Sequence, residues 1–367
     1  MGRPADMPPH TTQRHLTQHL YAAWQQSVND NKLINQFQAV VDDPDGRWVK
    51  GDTIAFGVHG QPAQKADQST TTSPSQNVYY AQNLTQSRPI PGAVQEKSIP
   101  GLGFICQYNG YRALRPGGQL KPLGRQVDIP PEPERCRFSC QDASDPLSLL
   151  VREPLLQVPL TNYVWNAYYN AAPIDPDGHF LWVPTDDAVL THYPQALSLA
   201  FVEDAVSLFK QLDGTLLFFN SLHSGASVNH IHFQAIAHRT PLPVETWPLI
   251  FNQKGYALLA NYPAYVMAFD INNLDKKVSS EAVAMAVFLH IDRFQQQDIP
   301  FNLMFVGTRI LLMPRNIDHE IVSEFPGNGI AALGMCGKII TVDYQAYAKA
   351  DRHRIQAAFA KMTSPVA

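Results

Sequence analysis

The sequence predicts an α+β chain made of two blocks of similar size, and three observations carry that prediction. Apolar residues make up 45% of the 367, ample for a buried core, and from residue 147 their spacing alternates between strand and helix periods. Residues 179–235 read as strand, helix, strand, turn, strand. After Pro241 a second set of strands and helices follows, with no repeat of the first at the level of identity. Length alone allows one large domain or two medium ones. The pattern divides the chain into 1–130, a helix and irregular loops; 131–240, the half that carries the chemistry; and 241–367, a second α+β half.

Taken in order, residues 15–30 place Leu16, Leu20 and Trp24 four apart, the stripe of a packing helix. Residues 61–77 are Gln-, Ser- and Thr-rich and read as a loop. Residues 112–135 read as an irregular connection, and its Arg112, Arg115, Lys121 and Arg125 as a solvated basic face more than a phosphate grip. Leu147–Leu160 reads as extended. Tyr163, Trp165, Tyr168 and Tyr169 make 162–170 β-prone. His179–Pro184 reads as a buried strand, Pro194–Leu212 as a helix stopped by Asp213-Gly214, and Thr215–Leu222 as the next strand. In the second half, Tyr256–Asp270 and Asn302–Pro314 are strand-like. Ser279–Gln297 reads as a helix capped near Ser279, and Asp343–Met362 as the last helix.

Composition narrows the function. The formal net charge is −4, which argues against a general nucleic-acid binder but leaves room for a nucleotide held by a few local cations. No run of ~20 apolar residues predicts a membrane span. No apolar leader is seen at the start. Four cysteines are too sparse for a disulfide scaffold. A soluble, cytoplasmic protein is the expectation. The Gly-x-Gly fragments at 101–103 and 327–329 are too short to mark a dinucleotide site.

The chemistry concentrates in one stretch, Asn220-Ser-Leu-His-Ser-Gly-Ala-Ser-Val-Asn-His-Ile-His-Phe-Gln-Ala235. His230, His232 and Gln234 stand at every second position. On a strand they share one face, with Ile231 and Phe233 packed behind. Upstream, Ser224, Gly225, Ala226 and Ser227 form a small polar turn whose backbone N–H groups suit an anion. Two histidines at i, i+2 are by themselves more often surface residues, core residues or metal ligands. The added carboxamide and turn favour transfer of a phosphorus-centred group through a histidine.

This run resembles the active-site strand of the galactose-1-phosphate uridylyltransferase branch of the histidine-triad superfamily, which has His-x-His-x-Gln. Residues 229–234, Asn-His-Ile-His-Phe-Gln, are particularly similar to GDP-L-galactose phosphorylases. The stretch from Pro173 to Pro184 resembles the superfamily's Gly-His-hydrophobic-Val-Pro strand. Phe301 to Arg315 and Gly329 to Lys338 resemble the C-terminal half of dinucleoside tetraphosphate phosphorylases (ATP adenylyltransferases). The resemblance covers about residues 130–345. It implies duplicated histidine-triad-like antiparallel sheets with packed helices. It also implies a nucleotidyltransferase of phosphorylase type acting through a covalent nucleotidyl-histidine.

The resemblance carries roles to residues. His232 is the nucleophile, with its other ring nitrogen donating to a backbone carbonyl. Gln234 is a neutral donor to the phosphoryl oxygen. Asn220, Ser224, Gly225, Ala226, Ser227 and Asn229 line the phosphate region; Arg309 or Arg315 either reaches it from the second half or is a solvated surface arginine. His230 joins His232 and Gln234 in the catalytic set, and it also corresponds to a zinc ligand, beside Cys136 and Cys140. The Cys-x₃-Cys spacing departs from the usual Cys-x₂-Cys, and the third ligand falls near Asp186. Two plain thiols are the other reading, and no cofactor is required for turnover. His179 reads as structural, and His223 as a neighbour of the turn. The expected partners are a nucleoside polyphosphate or GDP-hexose and phosphate; a homodimer is allowed. A hydrolase of the same superfamily, a non-catalytic nucleotide binder and a metal-binding structural module are the alternatives.

Overall fold

The computed structural model describes residues 15–29, 94–109, 112, 121–142, 148–150, 152–170, 174, 178–186, 191–251, 255–271, 279–327 and 329–363. The expected loop at 61–77 and Arg115 lie outside them. Among the described residues, the centre is a ten-stranded sheet, every neighbouring pair antiparallel. Its strands are β3 (Leu156–Pro159), β4 (Val164–Tyr169), β5 (His179–Thr185), β6 (Thr215–Asn220), β7 (Phe233–Ala237), β8 (Leu249–Phe251), β9 (Ala257–Leu259), β10 (Met267–Asp270), β11 (Phe301–Val306) and β12 (Arg309–Pro314). Their order is β3-β4-β5-β7-β6-β11-β12-β10-β9-β8. The junction β6–β11 joins the two halves in one sheet, with Asn220 opposite Asn302.

Strand alternation gives the sheet two apolar faces. One face, with Phe219, Phe233, Ala235, Leu303 and Phe305, packs under α2 (Leu199–Gln211) and α3 (Ser280–Gln296). It is extended by α1 (His15–Asn29), whose Trp24 stacks on Tyr169 at 6.1 Å between centroids. The other face, with Phe218, Ile236, Met304 and Leu311, is covered by a small sheet and the C-terminal helices α4 (Tyr344–Lys349) and α5 (Arg352–Met362). That small sheet pairs β1 (Val94–Ile99) antiparallel with β2 (Phe104–Asn109), and β2 parallel with β13 (Lys338–Thr341).

Several expected elements are shorter than their sequence patterns. The helix forecast from Pro194 begins at Leu199, because Ser198 accepts from Phe201 N as its cap, while 194–197 bends at Gln195, with Ala196 N donating to Pro194 O at 2.7 Å. The single last helix is two, because Asp351 caps a new start by accepting from Arg354 N at 2.7 Å. Leu147–Leu160 supplies only the four residues of β3. Tyr256–Asp270 and Asn302–Pro314 each split into two strands. The β1–β2 hairpin lies in the region read as irregular; β1, Val-Gln-Glu-Lys-Ser-Ile, lacks the alternation that marks a half-buried strand.

Candidate active site

The segment carrying the two histidines was expected to be a strand. The hydrogen-bond ladder begins only at Phe233. Residues 193–195 replace the neighbouring strand before that point. Ile231 N donates to Tyr193 O at 2.8 Å, and His232 N donates to Gln195 Oε1 at 3.0 Å. The alternation still holds: Ile231 and Phe233 are buried in the helix-side core. His230, His232 and Gln234 therefore share the opposite parity, as the spacing implied.

His232 is 6% exposed. Its Nδ1 sits 2.8 Å from the carbonyl oxygen of His230. Only a protonated Nδ1 satisfies that carbonyl, so the lone pair lies on Nε2. Burial pushes the His232 pKa down to about 4, against the opposing effect of the same carbonyl. The imidazole is thus neutral, with a fixed tautomer, at ordinary pH. Phe138 meets it edge-on at 5.2 Å between centroids. Gln234, half-buried, brings its Oε1 to 2.9 Å from His179 Nε2.

The turn ahead of the histidines is held from the second half. A Cβ on Gly225, at φ +107°, would lie 2.7 Å from Ala331 Cβ, so only glycine fits there. Ser224 is fully buried, with its Oγ 2.8 Å from Ser221 O and 2.7 Å from Phe301 O. Asn302 Nδ2 donates to Asn220 Oδ1 and to Ser224 O, both at 2.8 Å. Arg315 Nη1 donates to Asn302 Oδ1 and to Ile330 O, and its Nε to Met362 O. Arg315 is 2% exposed, and burial lowers its pKa to about 10.

Asn220, Ser224 and Arg315 were expected to hold phosphate; Asn220 Oδ1, Ser224 Oγ and Arg315 Nε and Nη1 make bonds that brace the turn. Arg309 also turns inward, donating to Val244 O. Asn229 is an anchor: its Oδ1 accepts from Gln195 N and its Nδ2 donates to Ile129 O. Gly225, Ala226 and Ser227 precede His230 and His232 in the chain, and Arg137 Nη1 lies 3.5 Å from Ser227 O.

Cys136, Cys140 and His230 do converge, and with them comes His192. Their ligand atoms all lie within 4.8 Å of one another. Cys136 Sγ is 3.5 Å from His230 Nδ1, and Cys140 Sγ is 3.3 Å from His192 Nδ1. Around a tetrahedral zinc with ordinary bond lengths, a sulfur–nitrogen edge is about 3.5 Å. His192 Nε2 is 2.7 Å from Pro131 O, which places its proton there and turns the Nδ1 lone pair to the cluster. Burial, with neighbouring His192 and His232, lowers the His230 pKa to about 3, which keeps it an uncharged donor. These four groups fit a metal. Asp186, expected near the third ligand, instead accepts from Tyr193 OH at 2.6 Å. The long Cys-x₃-Cys loop closes because Ser139 takes up the added residue in a left-handed conformation, φ +48°.

His192, Gln195 and Phe138 were not singled out in the sequence. Gln195 bridges Asn220 O, at 2.9 Å, and His232 N. None of the three stands in a spacing that marks it. His223, expected beside the turn, lies between Asp128 Oδ1 at 2.9 Å and Glu320 Oε2 at 3.4 Å.

The continuous antiparallel sheet and the His-x-His-x-Gln segment define a histidine-triad-like α+β fold. Known proteins agree. The yeast Ap4A phosphorylase Apa2, in its complex with Ap4A, superposes with a TM-score of 0.52 at 15% identity, over 74% of this chain and 89% of that one. GDP-L-galactose phosphorylase 2 of Arabidopsis thaliana is 28% identical over 250 residues, 61% of this chain and 54% of its own length. GDP-D-glucose phosphorylase 1 of Homo sapiens is 33% identical over 162 residues, 42% of this chain and 40% of the human protein. The chain spans about half the length of the curated relatives it matches. No family model matches it.

Proposed function

We propose that this chain is a nucleotidyltransferase of phosphorylase type that cleaves a GDP-hexose with inorganic phosphate. The observation that carries the reading is the neutral His232, its Nδ1 proton held by His230 O, two residues from the Gln234 carboxamide. The curated relatives are phosphorylases of GDP-hexoses, which favours that donor over a dinucleoside polyphosphate.

In this reading His232 Nε2 attacks the phosphorus attached to guanosine. The phosphorus–oxygen bond to the second phosphate breaks, and hexose 1-phosphate leaves with the electron pair. His232, now bonded through Nε2 and still protonated on Nδ1, carries a positive charge that the His230 carbonyl faces. Gln234 donates to a non-bridging oxygen, where a carboxylate would repel it. An oxygen of inorganic phosphate then attacks the same phosphorus, the phosphorus–nitrogen bond breaks, and GDP leaves. Zinc fits Cys136, Cys140, His192 and His230, where it would clamp the 136–140 loop and so hold Phe138 against His232. No step of the reaction passes through it.

The test is turnover of GDP-D-glucose with and without phosphate. The reading expects GDP and glucose 1-phosphate, formed only with phosphate and with parallel double-reciprocal lines. Formation of GMP at one rate with or without phosphate overturns it in favour of a hydrolase.

A further inference from the structure

His179 was read as a structural histidine. Its bonds are directional. Ile174 N lies 3.3 Å from His179 Nδ1, and a backbone N–H only donates, so Nδ1 is the acceptor. A neutral imidazole that accepts at Nδ1 carries its proton on Nε2. That nitrogen lies 2.9 Å from Gln234 Oε1. Asn170 Nδ2 also stands 3.4 Å from the same nitrogen, a longer contact that a protonated Nε2 does not accept. Ile174 is also held at its carbonyl: Gln107 Nε2 donates to Ile174 O at 3.5 Å and to Glu96 Oε1 at 2.8 Å.

An amide offers two chemically opposite ends, and a rotation of half a turn exchanges them. Because His179 presents a donor, it binds the Gln234 oxygen, and the Gln234 NH₂ must face the other way. Among the described residues that NH₂ has no partner, nor is it one of the buried unpartnered atoms, so it reaches solvent. The site needs that end, since the amide oxygen would repel a phosphoryl oxygen.

We propose that His179 is a positioning residue that fixes which end of the Gln234 carboxamide meets the transferring phosphoryl group. The orientation is passed from the Ile174 peptide, through the His179 tautomer, to Gln234. This rests on the functional reading above, because it gives Gln234 an oxyanion to meet. It predicts that His179 acts on the transition state and acts only through residue 234.

The experiment is a double-substitution cycle on the full chain, with GDP-D-glucose and inorganic phosphate as substrates. Gln234→Ala should lower kcat by about 10²–10³-fold, as loss of one oxyanion donor does. His179→Leu should lower kcat by about 10-fold or more, with KM for GDP-D-glucose changed less than threefold. In the Gln234→Ala background, His179→Leu should cause no further loss. His179→Gln, which can both accept from Ile174 N and donate to Gln234 Oε1, should recover most of the rate. On the unsubstituted protein, ¹⁵N imidazole spectra should show His179 as the neutral tautomer protonated on Nε2, a result that needs no variant to fold. Equal kcat losses from His179→Leu in both backgrounds, or an Nδ1-protonated His179, overturn the proposal alone. Unchanged turnover in Gln234→Ala removes the assigned role of Gln234 and the proposal with it.

Discussion

Two buried polar groups flank the His230–His232 segment, and they are built on opposite principles. Around Arg315 the atoms close on one another: Asn302 donates to Asn220 and Ser224, Arg315 donates to Asn302 and two carbonyls, and Ala332 N donates to Asn220 Oδ1. Around Cys136 they converge on a common point. Two sulfurs face two imidazole nitrogens at 3.3–3.5 Å, and His230 Nε2 is buried without a partner among the described residues. Donors and acceptors that meet one another brace the turn. Converging lone pairs are capacity for a ligand. The sequence made both look like candidate binding sites, and only the accounting of individual bonds separates them.

That contrast can be broken in several ways. The largest effect belongs to the residue between the two groups: His232→Ala should reduce turnover of GDP-D-glucose by ~10³-fold or more, since no other imidazole takes its place. Circular dichroism should be unchanged. Next is the closed group. Arg315→Met strands the acceptors of Asn302, Ile330 and Met362, and urea unfolding should show a loss of about 3 kcal/mol or more. Zinc content, by elemental analysis, should not move. The open group should behave in reverse. Cys136→Ser or a chelator should remove about one equivalent of zinc per chain and lower stability by about 2 kcal/mol. Arg315→Met that loses zinc, or Cys136→Ser that does not, erases the distinction.

The smallest effect is a pH dependence. The His232 pKa is lowered on folding from 6.5 to about 4, so the unfolded chain binds the proton more readily. Above pH 6.5 both states are neutral there and nothing is lost. Between pH 6.5 and 4 stability falls as pH falls, and below 4 the loss from this residue is complete. Urea midpoints across that window should show the decline, and His232→Gln should flatten part of it.

The layout of the 230–234 segment was legible in the sequence because its information is local. Alternation placed His230, His232 and Gln234 on one side, and Ile231 and Phe233 on the other, even though the ladder stops at Phe233. The helices at 199–211 and 280–296 were legible from apolar spacing, with the Ser279 cap where it was expected. Contacts made by chain closure were not. Arg315 looks like any cation near a strand end, and only its burial among Asn302, Ile330 and Met362 shows that it holds structure. His192 comes to the cysteines through a fold-level meeting of two loops, which no spacing encodes. The tautomer of His179 depends on Ile174 N, five residues away in sequence, a contact that no spacing encodes.

The most direct test of the central claim is to mix the protein with GDP-D-glucose, leave out phosphate, and map the product by intact mass and peptide sequencing. A covalent, acid-labile guanylyl group on His232, discharged as GDP when phosphate is added, is the predicted result. A guanylyl group on another residue, one that persists in His232→Ala, or phosphate-dependent turnover that passes through no covalent adduct, would contradict the account.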